Sequence, residues 1–227
     1  MRRDDAARLE AAIESFDAKF RALARRHGAE THRYPAIIPR DALERADFFA
    51  SFPDRAAPVL DGAAFLAPAV CYHAWPLLAD SSVEPPVVIT ARGECFRADE
   101  PPERRVPFAM REIVFVDTPR KVATRRKRLV EAARKIATEA GIEATVAPAT
   151  DLFFGAAAGR AIVQKIKELK LELRAPDGRG GTIAIASFNL HETFFTSRFG
   201  IRSGEGGELA SGCAAFGLER WAAATKP

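Results

Sequence analysis

Residues 87–116, VVITARGECFRADEPPERRVPFAMREIVFV, limit the possible folds more than any other stretch. Val87 to Arg97 consists mostly of β-formers and small residues with no proline, which predicts a strand. Phe108 to Val116 predicts a second strand. The loop between them is charged and holds Pro101, Pro102, Arg104 and Arg105. The unit reads as a long antiparallel hairpin with a polar tip. Alternation along a strand sorts its side chains. Cys95 and Arg97 share a face of the first strand. Met110, Glu112 and Val114 share one face of the second, and Arg111, Ile113 and Phe115 share the other. An Arg and a Glu turned inward from paired strands are costly unless they meet a ligand, a metal or each other. Two readings stay open at this point: a cross-strand ion pair on a solvated sheet face, or a site.

The rest of the composition sets bounds. A chain of 227 residues has room for one large domain or two small ones. Hydrophobic residues at 48% and charged residues at 28% suit a globular protein with a full core. No apolar run reaches membrane-spanning length, and MRRDDAARLEAA lacks the apolar core of a secretory signal. Three widely spaced cysteines make no disulfide framework and suit a reducing cytoplasm, so a cytoplasmic, non-membrane protein is expected. The net charge of +4 permits an acidic partner without choosing between protein and nucleic acid.

In chain order, Leu9, Ile13, Phe16, Phe20 and Leu23 recur at helical spacing within residues 1–28, and Gly28 is a natural stop. Pro39 can open a helix over Arg40 to Phe49, with Pro53 after its end. Residues 63–79 read as an apolar, strand-like run, in which Cys71 is taken as a core thiol and His73 as a structural histidine. Residues 118–140 predict a basic helix capped by Thr118 and ended by Gly141. A second basic helix is expected from about Ala156 to Leu169, with Lys165, Lys167 and Lys170 in or near it. Both helices are either solvated charged faces or a docking surface. LKLELRAPDGRGGTIAIASFN predicts a hairpin turning at Asp177–Gly181.

The hairpin segment GECFRADEPPERRVPFAMREIVF resembles motif 2 of class II aminoacyl-tRNA synthetases, in which Phe-Arg-x-Glu, a variable loop and a returning strand bind ATP. The closing GCAAFGLERW resembles motif 3, where glycines lead into a helix carrying an arginine. Cys71 in VCYH, Glu112 in MREIVF and Cys213 in SGCAAFGLERW together resemble the zinc-dependent seryl-tRNA synthetases of methanogenic archaea. They resemble still more the short bacterial relatives of those enzymes, the amino acid:[carrier protein] ligases. ATDLFFG and ASFNLHETFFTSRFGI are similar to the same smaller family, and the likeness runs from about Tyr34 to Trp221.

The resemblance implies an α+β fold, a class II synthetase-like antiparallel β-sheet flanked by helices. It implies a single catalytic domain over 1–227, with an N-terminal helix over 1–30 and a basic helical insertion over 118–175. The implied activity is ATP-dependent adenylation of a small amino acid of the glycine or alanine type. Transfer to the phosphopantetheine thiol of an acidic carrier protein then follows. Cys71, Glu112 and Cys213 would bind Zn2+, a set of three ligands that leaves the fourth position open for the substrate amine. Cys95 is the bystander. Arg97 would contact the α-phosphate of ATP and Arg220 the γ-phosphate, with Mg2+ bridging the phosphates. Phe108 would stack on adenine, and Arg104 and Arg105 would close over the nucleotide. Asp99, with Glu100 beside it, stands where the family pattern has its glutamate. A homodimer is expected, and tRNA is not, because no separate tRNA-binding domain fits in the 33 residues before Tyr34. The rival readings are a non-catalytic synthetase-like module and residual tRNA aminoacylation.

Overall fold

A computed structural model describes residues 3–98, 107–149 and 168–225. The hairpin is present: β6 (Val87–Cys95) runs antiparallel to β7 (Phe108–Asp117), with Ala91 opposite Glu112 and Cys95 opposite Phe108. The first strand leaves the ladder two residues before Arg97, because the Phe96 N–H turns away to the carbonyl of Ala67 at 2.9 Å. β12 (Ala210–Gly217) pairs with the free side of β7. It is followed outward by β10 (Thr182–Glu192), β9 (Lys170–Pro176) and β8 (Thr145–Pro148), all antiparallel. On the far side β1 (Glu30–Arg33) joins β6 in parallel, giving the order β1-β6-β7-β12-β10-β9-β8. The sheet is therefore mixed rather than wholly antiparallel. Residues 34–86 separate β1 from β6 and supply the long crossover that a parallel pair requires.

Helix α1 (Arg3–Arg26) and α5 (Pro119–Glu139) cover one face of the sheet. The periodic residues of α1 are the buried ones: Phe20 stacks on Phe216 with ring centroids 4.1 Å apart, and Trp221 of the closing helix (Leu218–Ala224) meets it edge-on at 4.9 Å. On α5, Val122, Leu129, Ala133 and Ile136 face the sheet and leave most of the basic residues outside. Thr118 occupies the cap position without capping. The Asp117 carboxylate accepts the Thr118 N–H at 2.8 Å instead. Gly141, with φ +70°, ends the α5 segment. No helix among the described residues is long and apolar enough to cross a membrane.

The alternation within β7 divides its charges between the two faces. Arg111 points toward α1, where its guanidinium donates to both carboxylate oxygens of Asp17 at 2.7 and 2.8 Å. Both residues are buried. Removing one member of such a pair leaves the other charged and unpaired in the core. Asp17→Ala is accordingly expected to lower unfolding free energy by about 3 kcal/mol, read as a shift in the urea midpoint at constant slope.

The opposite face is covered by shorter pieces. β2 (Ile37–Pro39), β3 (Pro58–Val59) and β4 (Ala64–Leu66) form a small sheet, and β5 (Ser82–Val83) pairs with β11 (Arg202–Ser203). The single helix expected over 40–49 is two: α2 (Arg40–Arg45) and α3 (Phe48–Ser51). Asp47 breaks it in the left-handed region, with φ 56°, and pairs with Arg198 at 3.0 Å while Phe48 enters the core. The run 63–79 is not a strand throughout. After β4 it forms a 3-10 turn (Val70–His73) and α4 (Ala74–Leu78), burying Trp75 against Phe195. Within 118–175, α5 is followed by β8 and β9, which extend the main sheet. Most of the second expected basic helix, and most of ATDLFFG, lie outside the described residues. Lys170 opens β9. The turn 177–181 forms as expected, with Asp177 accepting the N–H groups of Arg179 and Gly181 at 2.8 and 2.9 Å.

Candidate active site and metal centre

Four stretches meet on the sheet face opposite α1 and α5. Cys71 comes from the 3-10 turn, Glu112 from β7, Cys213 from β12 and Asn189 from β10. The turn is tied to the hairpin by the Val70 N–H, which donates to Glu112 Oε1 at 2.9 Å. Gly93 permits the approach: a Cβ there would meet Val70 Cγ2 at 3.2 Å. Cys213 lies opposite Val114, so it and Glu112 are diagonal neighbours on one face. Gly212 lets β12 settle there, since a Cβ at that position would sit 2.6 Å from the Phe115 ring.

The Cys71 and Cys213 sulfurs and a Glu112 carboxylate oxygen all lie within 4.8 Å of one another, and the three residues are at most 2% exposed. The neighbouring Cys213 sulfur raises Cys71, and Cys71 in turn lowers Cys213; burial raises Cys71 further. Asn189 Nδ2 donates to the Cys213 sulfur at 3.2 Å, which lowers Cys213 as well. Burial, then the nearby Cys213 charge, pushes Glu112 up to about 8. Its Oε2 is buried without a hydrogen-bond partner. Three groups that are anionic when deprotonated, crowded together out of water, call for a cation. No ion pair joins Arg97 to Glu112 among the described residues; Arg97 Nε donates to Pro68 O at 3.3 Å, and its guanidinium lies 5.3 Å from the Phe108 ring centroid. Two thiolates and a carboxylate fit a borderline-soft divalent ion, with a coordination position to spare. Cys95, also buried, packs with Val70, Ala91 and Met110 outside this group, and burial raises its thiol strongly.

Two chambers open along this face. The inner one, of about 70 Å3, is lined by Cys71, Tyr72, Glu112, Asn189 and Cys213, with Phe48 and Phe52 among the residues closing it. The outer one, of about 330 Å3, is lined by Phe108, Glu172, Arg174, Gly217, Glu219 and Arg220. Arg97, Met110, Lys170, Ser187 and Ala215 border both. In the outer chamber Arg220 donates to Ala184 O at 3.0 Å, and Glu219 fixes the closing helix to β7 by accepting the Ala109 N–H at 2.8 Å. Asp99, Glu100, Arg104 and Arg105 lie outside the described residues.

No protein-family model matches the chain. Over a 250-residue alignment it is 30% identical to amino acid–[acyl-carrier-protein] ligase 1 of Bradyrhizobium diazoefficiens, covering 94% of this chain and 77% of that protein. The chain belongs to the amino acid–[acyl-carrier-protein] ligases. A second ligase of that organism is 29% identical over 235 residues, with 88% of this chain and 70% of the relative covered. The type-2 serine–tRNA ligase of Methanopyrus kandleri is 29% identical over 175 residues, covering 69% of this chain but 33% of its own length. Among solved structures, the seryl-tRNA synthetase of M. kandleri, in complex with A. aeolicus tRNASec, superposes with a TM-score of 0.81 at 22% identity, over 96% of this chain and 51% of that one. The serine–tRNA ligase of Naegleria fowleri, in complex with AMP, gives 0.78 at 15% identity, over 97% and 48%. These likenesses show the class II synthetase fold, and the ligase spans about half of each of those chains.

The same face also carries residues whose place was not expected from the sequence. Lys170, expected in or near the second basic helix, opens β9 instead and lies at the junction of the chambers, 3.6 Å from Glu172. Alternation along β10 puts Ser187, Asn189 and His191 on one face, a signal already present in ASFNLHE. Phe48 reaches the site because Asp47 breaks the helix before it.

Proposed function

We propose that this ligase joins a small α-amino acid to ATP, forming an aminoacyl-adenylate and pyrophosphate, and then passes the aminoacyl group to the phosphopantetheine thiol of a carrier protein. The observation that supports it most is the pair of chambers. A small one ends in a buried donor cluster, a larger one carries Arg174 and Arg220, and Arg97 stands between them. In the first step a carboxylate oxygen of the amino acid attacks the α-phosphorus and pyrophosphate leaves. In the second the thiol sulfur attacks the acyl carbon and AMP leaves. Neither step needs a protein nucleophile, so the residues act by positioning and charge.

Arg97, at the boundary, would face both the attacking carboxylate and the α-phosphate. Its guanidinium is placed to stabilise the added charge with little reorganisation. Phe108 in the outer chamber would meet the adenine, and Arg220 the γ-phosphate, with Mg2+ accompanying ATP. Asp99, Glu100, Arg104 and Arg105 remain proposed contacts to the nucleotide. Cys71, Glu112 and Cys213 would hold Zn2+, which when bound supplies a Lewis-acid position for the substrate amine. The basic residues exposed on α5 suit an acidic carrier; since α5 packs on the far face of the sheet, their charge would chiefly speed encounter. A homodimer remains part of this reading.

An inner chamber of about 70 Å3 closed by Phe48, Phe52 and Tyr72 suits glycine or alanine. Each methylene beyond that size is expected to cost about 10-fold or more in kcat/KM, so leucine and phenylalanine should be inert. The reading is tested by incubating the ligase with ATP, glycine and a phosphopantetheine-bearing carrier. Mass spectrometry should show the carrier gaining one glycyl group as a thioester. A carrier labelled equally well without its phosphopantetheine would contradict the transfer step.

A further inference from the structure

Asn189 is a buried polar residue of the inner chamber. It lies on β10, directly opposite Cys213 on one side and Lys170 on the other, so the sheet holds it rigidly. It is 2% exposed and lines the inner chamber. Its amide is half satisfied: Nδ2 donates to the Cys213 sulfur at 3.2 Å, while Oδ1 is buried without a hydrogen-bond partner. A buried acceptor without a donor is unfavourable unless something else supplies one. Among the described residues lining this chamber, the other orphaned acceptor is Glu112 Oε2, which belongs to the donor cluster and would be met by its cation. Asn189 Oδ1 is then the orphaned acceptor left to meet the substrate.

We propose that Asn189 recognises the substrate's α-amine, Oδ1 accepting one of its N–H groups while Nδ2 holds the Cys213 sulfur in place. This rests on the amino-acid-activating reading above and adds a selectivity to it. A primary amine bound through its lone pair still carries N–H donors that a small chamber must pair, whereas a tertiary amine bound in the same way has none. The site should therefore prefer glycine to N,N-dimethylglycine for a reason beyond size.

The test compares wild-type protein with Asn189→Ala and Asn189→Ser, each loaded with cobalt(II). The sulfur-to-cobalt absorption band reports binding without turnover. Loss of the amide from the sulfur is expected to weaken metal binding about 10- to 100-fold. At saturating metal, glycine affinity is expected to fall about 10-fold, and the preference for glycine over N,N-dimethylglycine to shrink by a similar factor. ATP affinity, read by direct titration, should stay within about twofold, because the nucleotide occupies the other chamber. Circular dichroism confirms that each variant folds, and the serine variant serves if the alanine variant does not. A wild-type band with unchanged glycine affinity and preference in the folded variants overturns the role of Asn189 alone. A wild-type protein that shows no such band overturns the donor-cluster reading and this proposal together.

Discussion

Cys213→Ala is expected to reduce amino-acid-dependent ATP–pyrophosphate exchange by at least about 10³-fold, equivalent to about 4 kcal/mol of transition-state stabilisation. Cys213 lies within 4.8 Å of both Cys71 and Glu112 and accepts a hydrogen bond from Asn189 Nδ2 at 3.2 Å. Without it, Cys71 and Glu112 remain as a two-member set, too few for a stable zinc site. Metal content measured by atomic emission should fall from about one ion per chain to near none. Cys71→Ala should behave alike. Cys95→Ala provides the contrast, since Cys95 lies outside the ligand group and packs in an apolar pocket. It should keep its metal and exchange within about threefold of wild type. Loss of metal in Cys95→Ala with retention in Cys213→Ala would mean that the cluster has been assigned to the wrong cysteine.

Arg97→Ala is expected to lower the rate of exchange about 10²- to 10³-fold. The loss should fall on kcat more than on the KM for ATP, because the charge that Arg97 meets grows as the carboxylate attacks. The folded state should tolerate the change. Arg97 makes a long 3.3 Å bond to Pro68 O and lies over the Phe108 ring, contacts worth about 1 kcal/mol at a partly exposed position. Arg97→Lys should recover little of the activity, since an ammonium lacks the planar fork that spans carboxylate and phosphate oxygens. An Arg97→Ala protein that exchanges at the wild-type rate would remove Arg97 from the chemistry.

Much of this site was legible in the sequence because a strand has a period of two. That rule separated Glu112 from Arg111 without saying which face held a site; in the fold Glu112 meets the 3-10 turn of Cys71 and Arg111 meets α1. It said nothing about the partner of Arg111, because Asp17 is 94 residues away and only folding brings them together. The glycine-rich turn at 177–181 was legible for a local reason: Asp177 caps its own loop. Cys71 was less so. Its apolar surroundings fit a strand as well as a buried turn, and the bond from Val70 to Glu112 that fixes the turn spans 42 residues. The helix over 40–49 failed at Asp47, where a left-handed residue paired with Arg198 outweighed the helical pattern. Lys170 misled for the opposite reason. Basic neighbours in sequence suggested a docking surface, while its register opposite Asn189 places it in the site.

Amino-acid activation is tested most directly by ATP–pyrophosphate exchange with zinc-loaded protein and no RNA, run with each of the twenty amino acids. Exchange with glycine or alanine, and near-background rates with large side chains, is the predicted result. Protein that contains its metal and catalyses exchange with none of the twenty would contradict it.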